Sequence, residues 1–314
     1  MKVLNPLVIK INKLIDSGEL VLENPPCLCS SERFRKIADR DWLGLRCSVV
    51  LCKECGLVFT RPRLSEPAYR RLYENDDYRE LHTVGDFRDD ARGRFASGQG
   101  EHILEFISPH LTVGESTTIL EVGCGAGWNL EHFRKIGAKV IGYDLSRGLI
   151  ELGQKEYQLD IRLGSCADAA RDSIRADLVI LNHVLEHFTD IPSAINIIKQ
   201  TLKPGGLIYI GVPNVRGFDA RQVQLAHTYY FSRATLRHYL GRYGLNSIAF
   251  GPTLDIHMHG IFVPAQAAEV PSISLRDEYD TMVNIVRCAK FKEYCLRMLN
   301  AFGLKSLVKR SLGR

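Results

Sequence analysis

From about residue 114 the chain alternates short apolar runs with amphipathic stretches, and that alternation restricts the fold more than any other feature. TTILEVG, KVIGYD, IRLG, ADLVILN and GLIYIGVP are apolar runs bounded by turn signals. Between them lie the helical stretches WNLEHFRKIG, SRGLIELGQKEY and IPSAINIIKQTLK. Strand and helix in alternation predict an α/β fold, with a parallel sheet covered by helices on both faces. LNSIAFG and IHMHGIFVPA follow the helical stretch SRATLRHYLGRYG, which Ser232 is placed to N-cap. No helix separates those two runs, so they are expected as an antiparallel pair at the sheet edge.

The strongest chemical signal is ILEVGCGAGWNLEHF. A strand ends at Glu121 and Val122, then Gly123, Gly125 and Gly127 follow, and a helix begins. Glycines let the backbone turn sharply and let a ligand reach main-chain N–H groups with no Cβ in the way. In open parallel sheets ligands bind at the carboxyl ends of strands, where this loop falls. Asp144 ends the next strand, 21 residues after Gly123. A carboxylate there can accept from two ribose hydroxyls. The dinucleotide pattern G-x-G-x-x-G would need glycine at 128, but the chain has Trp128, and its spacing is E-x-G-x-G-x-G.

With that spacing, Asp144, the block ADLVILNHVLEHFTD and the turn LKPGGLIYIGVPN, residues 86–265 resemble the class I S-adenosylmethionine-dependent methyltransferases. The resemblance implies a Rossmann-like, mostly parallel seven-stranded sheet and S-adenosyl-L-methionine as cofactor. It implies that Gly123, Gly125 and Gly127 line the methionine part and that Glu121 sits near its amino group. Asp144 would hold the ribose, with Leu145 beside the adenine and Asn182 bordering the cofactor. Many relatives carry an acid after the third strand for the adenine amino group. Here that position reads as Ser165, and Asp168 lies further along. Cys124, between two glycines, reads as a small space-filler.

The loop Asn182–His187 falls where cofactor and acceptor should meet. HVLEH also fits H-x-x-E-H, a zinc-protease pattern, but that pattern needs one helix to align both histidines. Here it follows a strand, so the protease reading fails. In a methyltransferase the acceptor must lose a proton, and a histidine near neutrality suits the task. His187 and His183 are the candidate bases, with Glu186 as partner. The alternative reading is that Glu186 and His187 only fix the loop. In AHTYYFSRATLRHYL, the resemblance puts His227 and Tyr230 over the acceptor pocket. The bland alternative makes the same aromatics core anchors. Tyr69, Tyr73 and Tyr78 read either as part of a lid or as the apolar stripe of a helix.

Cys27 and Cys29, then 22 residues, then Cys52 and Cys55 supply four thiolates. Zinc takes four tetrahedral ligands and favours thiolate in structural sites. The first pair is shorter and the gap longer than in the usual ribbon. The readings are a structural zinc knuckle, unmetallated thiols or a redox pair, with zinc preferred. Cys288 and Cys295, seven apart, are expected on the buried face of a helix. A cysteine knuckle, a tyrosine-rich helix and this core in succession resemble bacterial methyltransferases acting on sugars in surface-polysaccharide and deoxysugar pathways. That implies a saccharide or other small-molecule acceptor, with a quinone or small aromatic O-methyltransferase as the alternative.

The 314 residues suffice for a sizeable core. Four parts are expected: 1–62, an N-terminal helix with the knuckle; 63–110, a helical lid or linker; 111–265, the cofactor-binding domain; and 266–314, a basic helical tail. No apolar run nears the ~20 residues of a membrane span. The lysine-broken N-terminus reads as an amphipathic helix rather than a signal peptide. Nine clustered cysteines point to a reducing, cytoplasmic setting. Of the net charge of +5, residues 281–314 carry eight Lys and Arg against one acid. Residues 25–62 hold no dense basic patch, so no nucleic-acid partner is expected. The tail reads equally as a helix packed on the core or as an interfacial helix making peripheral contact with the inner membrane face.

Overall fold

The computed structural model describes residues 5–75, 77–82, 87–217, 222–252, 256–265 and 273–301. The chain opens with α1 (Pro6–Asp16), capped by the Asn5 side chain, which accepts from the Leu7 N–H. The expected N-terminal helix ends at Asp16, and Gly18 turns the backbone at φ +76°. β1 (Leu22–Glu23), β2 (Phe34–Arg40), β3 (Arg46–Cys52), β4 (Val58–Thr60) and β5 (Arg63–Leu64) follow. Then come four helices: α2 (Glu66–Glu74), α3 (Asp77–His82), α4 (Phe87–Ala96) and α5 (Gln99–Ile107).

The second half alternates as its sequence requires. It runs β6 (Thr118–Val122), α6 (Trp128–Lys135), β7 (Lys139–Asp144), α7 (Arg147–Tyr157), β8 (Ile161–Leu163), α8 (Cys166–Arg171) and β9 (Ala176–Asn182). It continues with α9 (Ile191–Gln200), β10 (Leu202–Pro213), β11 (Tyr229–Tyr230), α10 (Arg233–Arg242), β12 (Leu245–Phe250), β13 (His257–Pro264) and α11 (Glu278–Ala301). The seven-stranded sheet has the order β12-β13-β10-β9-β6-β7-β8. Strand β13 runs antiparallel to both neighbours, and the other described pairings in this sheet are parallel. Ser232 N-caps α10 through a reciprocal bond with Thr235.

Alternation along each strand divides the core. Leu178 and Ile180 pack with α5, α6 and α7 through Ile103, Phe133 and Ile150. Val179 and Leu181 pack on the other face with Ile195 and Leu236 of α9 and α10. Both faces are therefore buried, as a parallel sheet demands. The strand order reverses between β6 and β9, which opens a crevice at their carboxyl ends.

A second sheet, β11-β4-β3-β2, ties the N-terminal part to this core. Tyr229 pairs with Phe59, and Tyr230 with Val58. The first turns of α11 close the same cluster through Met282, Val283 and Val286. Gly56 touches the start of α11 so closely that a Cβ would meet the Glu278 backbone at 2.6 Å. Cys288 is exposed, contrary to the expected buried face, because the packed stripe of this helix is 282, 283 and 286. Of the basic tail residues, 302–314 lie outside the described residues, and so do the side chains of 291–301, Cys295 among them.

Candidate functional site

Three glycines shape the loop after β6. Gly123, Gly125 and Gly127 have φ of +68°, +59° and +84°, the left-handed region that costs other residues strain. A Cβ on Gly123 would collide with Val184, and one on Gly125 with the Trp128 ring. The loop therefore abuts the segment after β9. Asp144, at the end of β7, accepts from the N–H groups of Gly125 (2.7 Å, Oδ2) and Ser146 (2.8 Å, Oδ1). Those two bonds orient the carboxylate while each oxygen keeps a lone pair for a hydroxyl. Leu145 is half-buried beside it.

Glu121 is 1% exposed. Its Oε1 accepts from Asn129 Nδ2 at 2.6 Å, but its Oε2 and the Asn129 Oδ1 have no protein partner. Burial pushes this carboxyl up to about 8. Two orphaned buried acceptors beside a glycine loop fit an ammonium donor such as the amino group of S-adenosylmethionine. Ser165 is the N-cap of α8, and the Asp168 carboxylate reaches back to its N–H (2.7 Å) and hydroxyl (3.0 Å). Asp168 thus stands in the first turn of α8, with its other oxygen on the Arg171 guanidinium. The S-x-x-D capping box was the signal for it.

Asn182 ends β9, packed against Gly211. His183 follows at φ +57°, unusual for a side chain with a Cβ and typical of functional turns. Its Nδ1 lies 3.3 Å from Glu186 Oε1, and 35% of its side chain is exposed. Glu186 is buried, with Oε2 unpartnered. Burial alone would raise Glu186, but the His183 bond and the fields of His187, His183 and His227 outweigh it and hold the carboxyl at about 2. His187 Nδ1 contacts the Ala226 carbonyl at 2.9 Å, a carbonyl that also accepts from the Tyr69 hydroxyl at 3.0 Å. Tyr69 and Tyr73 stand 6.0 and 6.1 Å from the His187 ring. Burial lowers His187, and it lowers His227 to about 3.

His227 lies 5.0 Å from the His187 ring, so the loop before β11 and the loop after β9 meet. Tyr230 is 2% exposed, and its hydroxyl donates to the Gln224 carbonyl at 3.2 Å. It packs in the N-terminal cluster rather than on an open surface. Tyr69 and Tyr73 lie on α2 and Tyr78 on α3, all three pack in that same cluster, and the first two flank His187.

The four cysteines converge. Sγ of Cys27 and Cys55 are 3.5 Å apart, those of Cys29 and Cys52 3.6 Å, and all four sulfurs lie within 4.8 Å. Thiolates at the ~2.3 Å zinc distance on a tetrahedron stand about 3.8 Å from one another, so the set fits zinc. A disulfide needs ~2.05 Å. Bonds among the sulfurs push the Cys27 thiol up and hold Cys52 down.

Residues 88–249 match the family described as Methyltransferase domain. Similar curated proteins include the ubiquinone biosynthesis O-methyltransferase of Coxiella burnetii, 32% identical over 123 residues, covering 37% of this chain and 51% of that protein. The one from Chelativorans sp. is 31% identical over 105 residues, covering 32% and 42%. The chain thus spans about half the length of the curated relatives it matches. A SAM-dependent methyltransferase from Archaeoglobus fulgidus overlays with a TM-score of 0.43 at 15% identity, covering 56% of this chain and 99% of that one.

Proposed function

We infer that this chain, which belongs to the methyltransferase domain family, moves a methyl group from S-adenosyl-L-methionine to a sugar, nucleotide-linked or polymeric. One observation carries the donor assignment. Three left-handed glycines lie between two buried carboxylates, Glu121 and Asp144, with unpartnered acceptors waiting at Glu121 and Asn129. Glu121 and Asn129 would hold the ammonium end of the donor, Asp144 the ribose, and Leu145 with Asp168 the adenine edge. When bound, the donor supplies an electrophilic sulfonium methyl that needs no further activation.

The chain's own work is then to align the acceptor and take its proton. His183 is the assigned base. Glu186 fixes its Nδ1, which leaves Nε2 to receive the proton, as in other carboxylate–imidazole pairs. Tyr69 and Tyr73 offer flat apolar faces beside His187, suited to the ring of a sugar. The cysteine cluster is assigned a structural zinc that fastens β2–β4 under the site. The support for a sugar is the succession of cysteine knuckle, tyrosine-bearing helices and methyltransferase core.

A second reading has its own observation, the named relatives of ubiquinone biosynthesis. In that case the acceptor is a phenol or quinol hydroxyl. Incubation with methyl-labelled donor against panels of nucleotide sugars and of catechols separates the two. Label in a nucleotide sugar supports the first reading, and label in catechols alone overturns it.

A further inference from the structure

We propose that Glu186, His187 and His227 form a divalent-cation site where the loop after β9 meets the loop before β11, separate from the cysteine cluster. One carboxylate oxygen of Glu186 and one ring nitrogen each of His187 and His227 lie within 4.8 Å of one another. His187 Nδ1 donates to the Ala226 carbonyl at 2.9 Å, and His227 Nδ1 to the Gln222 carbonyl at 3.1 Å. A carbonyl only accepts, so each Nδ1 carries the proton and each Nε2 offers a lone pair. Glu186 is 1% exposed, and its Oε2 has no partner. The three side chains thus bring one ligand atom each into one small volume, and they hold between them two imidazole lone pairs and an unpartnered carboxylate oxygen. Such a buried arrangement is costly unless a cation joins it.

The support behind the ligands has the form metal sites require. A carbonyl behind each imidazole fixes its tautomer and ring plane. The two segments are joined before any ion arrives: the Thr228 N–H donates to the Glu186 carbonyl at 2.7 Å, and the Thr228 hydroxyl to the His187 carbonyl at 3.3 Å. Two imidazoles and a carboxylate suit zinc, iron, cobalt, nickel or manganese rather than calcium. Three protein ligands leave coordination positions open, which marks a site that takes a substrate oxygen rather than a closed structural one. Arg79 adds a positive field at His187, which lowers affinity without removing a ligand. His187 is then a ligand, and His183, held at Oε1 of Glu186, keeps the role of base. The site stands independently of which acceptor is methylated, because binding is read directly.

The test uses the full chain loaded with a single equivalent of zinc, which the four thiolates take first, so that the cysteines are filled and the proposed site is not. Manganese(II) is titrated in and followed by electron paramagnetic resonance. One further ion per chain is expected, with nitrogen couplings from imidazole in the pulsed spectrum. His227→Gln and Glu186→Gln should each weaken binding by about tenfold or more. His238→Gln, on α10 and bonded to the Ile273 carbonyl, should bind as the parent does. No uptake of manganese or cobalt at millimolar concentration overturns the proposal. So does undiminished binding in the folded variants, which would leave a hydrogen-bond donor of the acceptor as the partner of these groups. Should His227→Gln not fold, the parent protein's nitrogen couplings decide: bound manganese without them overturns the site.

Discussion

The hydroxyl of Tyr239 donates to Sγ of Cys55 across 3.0 Å, joining residues 184 apart in sequence. Helix α10, which packs on the seven-stranded sheet, therefore rests directly on the cysteine cluster. The same dependence recurs where β11 pairs with β4.

From this follows a prediction about zinc. Protein purified without chelator should carry zinc at the cysteine cluster, and stripping it should lower the melting temperature by roughly 10 °C or more, because structural zinc contributes folding energy outright. The seven-stranded sheet should melt in the same transition. Tyr239→Phe should keep the metal and cost only about 1 kcal/mol, one hydrogen bond. Elemental analysis and calorimetry check both. Metal-free protein with an unchanged melting curve would remove zinc from the structure.

The glycines separate binding from folding. Gly125→Ala places a Cβ against Trp128 in a left-handed backbone, at the rim of the donor site. The displaced loop should reduce donor affinity about tenfold or more, beside about 1–2 kcal/mol of backbone strain read in stability. Gly127→Ala instead drives a Cβ into Leu159 and Ile161, 2.6 and 2.9 Å away in the core. It should lower stability by a similar amount or more. Calorimetric titration with the donor and thermal melts on both variants would show the split. Equal affinity in Gly125→Ala would displace the donor from this loop.

The parallel sheet was legible because each strand is a compact apolar run and each glycine and acid falls at a strand end. The residues proposed to hold the donor were legible by the same local logic. What stayed hidden is set by contacts between distant segments. Strand β11 is two residues long, and its partner β4 lies some 170 positions earlier, so no periodicity reveals it. His187 and His227 meet across 40 residues with no motif spacing, although each was singled out by residue type. Helix α8 has only six residues, too few to show a 3.6-residue period, although its capping box is present in the sequence. The buried face of α11 was misjudged at Cys288 because the stripe follows the surface it docks on.

Glu121 makes a pH prediction with a definite sign. Burial raises its carboxyl from 4.5 to about 8 in the folded protein. The folded state then binds this proton more tightly than the unfolded one. Its contribution to stability is complete below pH ~4.5 and is lost as pH rises toward 8. Glu121→Gln should flatten that part of the stability–pH curve. An ammonium ion docking beside Glu121 favours the charged carboxylate, so donor binding at pH 7 should release a proton. Calorimetric titration in buffers of different ionisation enthalpy reads that release directly. Buffer-independent heats would place the ammonium elsewhere.

His183 is tested best by a substitution that respects its backbone. At φ +57° an alanine is strained, whereas asparagine tolerates the left-handed region. His183→Asn should keep the loop, the melting temperature and the donor affinity. Removing the imidazole should still lower kcat by about 100-fold or more, the usual contribution of a positioned base. KM for the acceptor should move little, because the proton is taken in the transition state and not on binding. His183→Ala should show the same loss of kcat together with about 1 kcal/mol of lost stability from the backbone. If His183→Asn turns over normally, the proton goes elsewhere. His187 would then be the base, and its Nε2 could not also be committed to a cation.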